Sequence, residues 1–173
     1  MKDFYNLPKI AIGGEQASGK TTYAQSLAGE NVIPFHLIEP LRRNFLLLGK
    51  KEGEDFSRED LVDLARPLRK RAGRQALAQL TCEILKEMDL SEYDKIVVEG
   101  VRLPEEGQYL LGQGFELIYM ETPEVIRNER VSKRGNDSKD PLAPELVNLK
   151  KLATRIVQFK IEMSKEGEAI GLE

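Results

Sequence analysis

One segment constrains this chain more than any other. Gly14-Glu15-Gln16-Ala17-Ser18-Gly19-Lys20-Thr21 follows the apolar run Lys9 to Gly13 (KIAIG) and opens a helix-forming stretch, Gly19 to Leu27. This is G-x-x-x-x-G-K-[ST] between a strand and a helix, the setting in which it cradles phosphate. Gly14 and Gly19 permit a tight turn, so the backbone N–H groups of Ala17, Ser18 and their neighbours converge on an anion. The N-terminus of the following helix adds a partial positive charge. Lys20 supplies a full charge for β- and γ-phosphates, the Thr21 hydroxyl is a hard oxygen ligand suited to Mg²⁺, and Thr22 is placed to reach an α-phosphate. In a chain of ordinary composition the four fixed positions coincide by chance on the order of 1% of the time.

Around this loop, short apolar runs alternate with helical stretches, the pattern of βαβ units and a parallel sheet. Val32 to Ile38 is a second strand candidate that contains Pro34, and Leu41 to Leu48 reads as a helix. From Leu61 to Met88 apolar residues recur every three or four positions, a helical period, and Pro67 is expected to kink the segment or divide it in two. Lys95 to Glu99 (KIVVE) and Phe115 to Met120 (FELIYM) are the later strands; Glu105 to Leu111 and Pro123 to Arg134 are helices. Past Leu146 the tail fits a helix from about residue 144 that gives way to a strand. At 173 residues the expectation is one domain, 1–173.

Three further groups carry chemistry. Glu99 closes the KIVVE strand, and an acid at the C-terminal edge of a parallel strand beside the loop can hold Mg²⁺ through water. Arg66, Arg69, Lys70, Arg71 and Arg74 place five cations in nine residues, while Arg127, Arg130 and Arg134 share one helical face. Phosphoryl transfer spreads charge over the migrating oxygens, and the forked guanidinium suits them. Glu39-Pro40-Leu41-Arg42 ends the second strand at the edge that faces the ligand crevice of an open α/β sheet. There Arg42 can clamp an anionic acceptor and Glu39 can accept a hydrogen bond from its hydroxyl.

Composition narrows the class. Net charge is −3, against a dedicated nucleic-acid binder, and hydrophobic and charged contents of 40% and 32% describe a globular chain with a charged surface. The one cysteine, Cys82, forms no intrachain disulfide and reads as core, consistent with a reduced, cytoplasmic setting. No apolar run approaches the ~20 residues of a membrane span. His36, the sole histidine, reads as a strand residue, and Tyr109, Phe115, Tyr119 and Phe159 read as packing.

Residues 9–140 resemble the nucleotide kinase branch of phosphate-loop proteins. EGVRLPEE, residues 99–106, is similar to the D-x-R-x-P-x-E segment of bacteriophage-type deoxynucleoside monophosphate kinases, with Glu99, Arg102, Pro104 and Glu106 at matching places and Glu where Asp is usual. EPLRRNFLLLG, residues 39–49, resembles their D-P-L-K segment, and LRKRAGRQAL their L-x-x-x-x-G-R segment, which matches Arg74. Arg130 and Arg134 fit the R-x-x-x-R at the lid of adenylate kinase-like proteins. The resemblance implies a P-loop kinase fold: a mostly parallel core sheet flanked by helices, a helical acceptor-binding insertion at about 41–90 and a short lid at about 130–141. It implies transfer of the γ-phosphate of ATP, with Mg²⁺, to a (deoxy)nucleoside monophosphate. Lys20, Arg130 and Arg134 would be catalytic; Arg42, Arg102, Arg74 and Glu39 would bind the acceptor; Thr21 and Glu99 would hold the metal. Its partners would be small nucleotides, with no nucleic-acid polymer and no membrane, in a monomer or homodimer.

Other readings share these residues. In a deoxynucleoside kinase the Glu39-Pro40 pair would supply a general base. A dephospho-CoA kinase-like enzyme shares the fold. A regulatory or non-catalytic ATP-binding module is a different class, although the N-K-x-D of GTPases and the L-S-G-G-Q of transporter ATPases are both missing from the sequence.

Overall fold

The computed structural model describes residues 2–27, 31–42, 58–133, 143–158, 162–163 and 169–170. Its centre is a parallel sheet of five strands: β1 (Lys9–Gly14), β2 (Val32–His36), β3 (Lys95–Val101), β4 (Glu116–Glu121) and β5 (Arg155–Gln158), in the order β2-β3-β1-β4-β5. β1 is central and buried along its whole length, which is why its sequence after Lys9 is continuously small or apolar rather than alternating. A two-stranded antiparallel pair, β6 (Glu162–Met163) and β7 (Ala169–Ile170), stands apart from this sheet.

Helix α1 (Lys20–Leu27) covers one face, packing Tyr23 and Ala24 against Ile10, Ile12, Val97, Ile118 and Met120. The other face carries a larger core beneath α4 (Ala76–Glu87), α5 (Pro104–Gly112) and α7 (Ala143–Leu152), in which Leu77, Cys82, Leu110 and Leu149 meet Ile96, Val98, Val101 and Leu117. α2 (Glu39–Arg42) follows β2, α3 (Arg58–Ala72) packs on α4, and α6 (Glu124–Lys133) follows β4. No helix among the described residues is long and apolar enough to cross a membrane.

The structure corrects the sequence reading at three places and bears out the expected helix-to-strand tail. The long helical segment divides at Gly73, not at Pro67, which lies within α3. Gly73 has φ +92 and its N–H caps the Arg69 carbonyl at 3.0 Å, so the helix stops where the backbone turns left-handed. Pro67 removes one helical hydrogen bond, but Leu64, Ala65 and Leu68 keep the helix on the core. The second strand ends at His36, and the next helix starts at Glu39 rather than Leu41, so Glu39 begins α2 instead of ending the strand. Glu99 does not close its strand: β3 runs to Val101 through a bulge, with Ile12 opposite Glu99 and Gly13 opposite Val101. Gly100 is the extra residue, at φ +87. The bulge changes the alternation, so Val101 joins Ile96 and Val98 in the same core. In the tail, helix yields to strand at Thr154, whose N–H and Oγ1 both donate to the Leu117 carbonyl, at 2.8 Å each. Of the expected insertion and lid, residues 43–57 and 134–142 lie outside the described residues, as does Phe159.

Candidate active site

The C-terminal edge of β1, β3 and β4 gathers the site. β1 passes directly into the loop, where Ala17 takes φ +58 and Gly19 φ +89. A left-handed alanine is uncommon outside glycine-rich turns, and such strain is kept where a function or its surroundings over-determine it. Lys20 folds back over the loop. Its Nζ donates to the carbonyls of Gly14 (3.0 Å) and Glu15 (2.5 Å) and to Ser18 Oγ (3.3 Å). The ammonium is thus held against the loop's own carbonyls and the Ser18 hydroxyl.

Thr21 and Thr22 lie exposed in the first turn of α1. Thr21 Oγ1 donates to Glu99 Oε2 at 2.8 Å, across 78 residues of sequence. Parallel pairing of β3 with β1 brings Glu99 there, and its carboxylate is buried at 9% exposure. His36 is in register with Glu99 on β2, and its ring packs over Gly100. A hydroxyl and a carboxylate side by side are hard oxygen donors that fit Mg²⁺, which keeps much of its water and needs few protein ligands.

A second wall comes from β4 and α6. Thr122 Oγ1 donates to the Ser18 carbonyl at 2.8 Å and props the loop from beneath. Arg127 donates from Nε to the Thr122 carbonyl at 3.0 Å and pairs through NH1 with Glu15 Oε2 at 2.5 Å. Arg130 NH1 donates to the Ala17 carbonyl at 3.1 Å. The two arginines therefore reach the loop from one helical face; Arg134, the third of the series, lies outside the described residues. Beside them opens a cavity of about 600 Å³, lined in part by Glu15, Tyr119, Thr122, Arg127, Lys150 and Gln158. Burial, with the charges of Glu15 and Glu121, pushes the Tyr119 hydroxyl up to about 12. Lys150 donates to Glu121 and holds that carboxyl below its ordinary range.

A third wall follows β3. Arg102 lies between the end of β3 and α5, beside the loop. Glu106, at the third position of α5, is fully buried: Oε2 accepts the N–H groups of Arg102 and Leu103 at 3.1 Å each, and Oε1 accepts Arg69 NH2 at 2.6 Å. Leu103 offers no side-chain acceptor in return, so this is half of a capping box. Arg74 pairs with Glu105 at 2.8 Å and Glu145 at 2.6 Å, joining the α3–α4 turn to α5 and α7. Glu39 and Arg42 stand at the two ends of α2, past β2 at the same sheet edge.

Sequence reasoning passes over Glu15 and Thr122 and sees Arg69 only as one cation of a cluster. Thr122-Pro123, immediately after an apolar strand, was an available signal. Glu15 and Arg69 had none, because their partners are brought by the fold.

Fold and loop together define a P-loop protein with the architecture of the P-loop kinases. A family model described as "AAA domain" (AAA_18) matches residues 10–150, and the chain belongs to that family. Among curated relatives, a UPF0200/UPF0201 protein of Archaeoglobus fulgidus is 32% identical over 133 residues, which cover 74% of this chain and 40% of that one. A UPF0200 protein of Methanosarcina mazei is 33% identical over 129 residues, covering 73% and 65%. The matched segment thus spans less than two thirds of either relative. Among solved structures, TT1252 from Thermus thermophilus aligns with TM-score 0.57 at 22% identity over 89% of both chains. The shikimate kinase of Acinetobacter baumannii aligns with TM-score 0.53 at 15% identity, covering 92% of this chain and 87% of that one. These likenesses are of fold.

Proposed function

We propose that the chain is an ATP-dependent phosphotransferase that moves the γ-phosphate to a nucleoside monophosphate, ribo- or deoxyribo-. The observation that carries this reading is the hydrogen bond from Thr21 to buried Glu99 beneath a phosphate loop whose lysine is held against its carbonyls. Loop amides and Lys20 would bind the donor's β- and γ-phosphates. Thr21 and Glu99 would hold Mg²⁺, which when bound neutralises charge on the phosphate oxygens. Arg130 would leave the Ala17 carbonyl for the transferred group, and Arg134 is proposed to act on the same group. Such chemistry rests on positioning and charge, so no side chain is required to be a strong base.

Support for a monophosphate acceptor comes from the resemblance of residues 99–106 and from the position of Arg102 at the end of the central strands. Arg42, Arg74 and Glu39 are the remaining acceptor candidates, with Arg74 held between Glu105 and Glu145 until a ligand competes for it.

The test is an ATP-to-ADP assay with Mg²⁺ against ribo- and deoxyribonucleoside monophosphates, nucleosides and dephospho-CoA. Turnover that needs a monophosphate is the expected result. Turnover with nucleosides alone would move the base role to Glu39, and ATP consumption indifferent to any acceptor would replace the kinase with an ATPase.

A further inference from the structure

Resting on that reading, we propose that Arg69 is a ligand of the acceptor's phosphate and that Glu106 is the positioning residue that presents it. Arg69 lies on α3, 37 residues from Glu106, and only the fold brings it to the loop's edge of the sheet. A fully buried carboxylate must be paired, and Glu106 is paired three times, leaving neither oxygen idle. Two of its partners are the N–H groups of Arg102 and Leu103, so one carboxylate fixes both the backbone of Arg102 and the guanidinium of Arg69. Two arginines are thereby registered to each other at the crevice.

Glu106 engages Arg69 at one terminal nitrogen. The guanidinium carries five donors, and Arg69 Nε is buried and finds no acceptor among the described residues. A guanidinium still 22% exposed, with one orphan donor and beside a second arginine, matches a tetrahedral anion bearing several acceptor oxygens. A phosphate monoester has that form. The carboxylate sets the fork's plane and offsets one positive charge, which favours a single phosphate group at this wall over a polyphosphate.

The experiment is calorimetric titration of the panel of monophosphates into protein saturated with a non-hydrolysable ATP analogue and Mg²⁺. Three proteins are compared: the unaltered chain, Arg69→Lys, and the double variant Arg69→Met with Glu106→Gln. The double variant removes both charges together, so neither is left buried alone. Loss of a bidentate, charge-assisted contact is expected to weaken monophosphate binding by about tenfold or more, with analogue affinity unchanged. Unchanged monophosphate affinity in either variant would overturn the proposal. So would equal loss of both ligands, which marks a structural role, or an unaltered chain that binds the analogue but no monophosphate. Arg69-dependent binding without turnover would uphold this inference and remove the phosphotransfer reading instead.

Discussion

At the residue scale, the site turns on charges placed by backbone. Lys20→Ala removes the cation held against the loop but leaves carbonyls that water can solvate. Turnover should fall roughly a hundredfold or more while circular dichroism stays unchanged. Normal turnover would take Lys20 out of the chemistry. Glu99→Gln keeps an acceptor for the Thr21 hydroxyl and loses only the charge. Turnover in that variant should need more Mg²⁺ to reach its half-maximum; an unaltered Mg²⁺ dependence would separate Glu99 from the metal. Lys20, Thr21 and Glu99 were legible because the loop motif and an acid on an apolar strand are both local patterns. The pairs Arg127–Glu15, Thr122–Ser18 and Arg69–Glu106 were not, because each joins segments that only strand order makes neighbours.

At the scale of elements, the strands β1, β3 and β4 announced themselves by buried apolar runs. β5 did not: of its four residues only Val157 is buried, as suits an edge strand. The boundary between α3 and α4 was hidden because proline is the stronger breaker in isolation, whereas here packing holds the helix past Pro67 until Gly73 ends it. Two glycine substitutions test this backbone account. Gly73→Ala forces a side chain into φ +92, and a loss of roughly 1–2 kcal/mol is expected in urea unfolding, since its nearest contact is the flexible end of Gln75. Gly100→Ala should cost more, because the added carbon would lie 2.6 Å from His36 Cε1 in a ring packed over the strand. It should also lower turnover by disturbing Glu99; equal, small effects at the two sites would refute the bulge's role.

For the whole molecule, burial sets an alkaline limit. Burial pushes the Cys82 thiol up from 9.0 to about 11, and Tyr119 from 10.0 to about 12. The folded chain therefore holds these protons more tightly than the unfolded one. Their contribution is complete below about pH 9 and is lost as pH rises toward 11 and 12. Lys9, held below its ordinary range by burial, works in the opposite sense, since folding penalises its charged form less as it deprotonates. The two acids outweigh it, so the melting temperature should fall between pH 9 and 11, and Cys82→Ala should flatten part of that fall. A flat profile in the unaltered chain would contradict the buried thiol. The sheet order has a consequence of another kind, for synthesis. A growing chain emerges N-terminus first. The phosphate loop leaves the ribosome 78 residues before the acid that faces Thr21 and 104 before the threonine that props Ser18. Among the described residues, β1 has no sheet neighbours other than β3 and β4. A nascent chain thus displays its most recognisable motif long before β3 and β4, the strands that wall it, have been made.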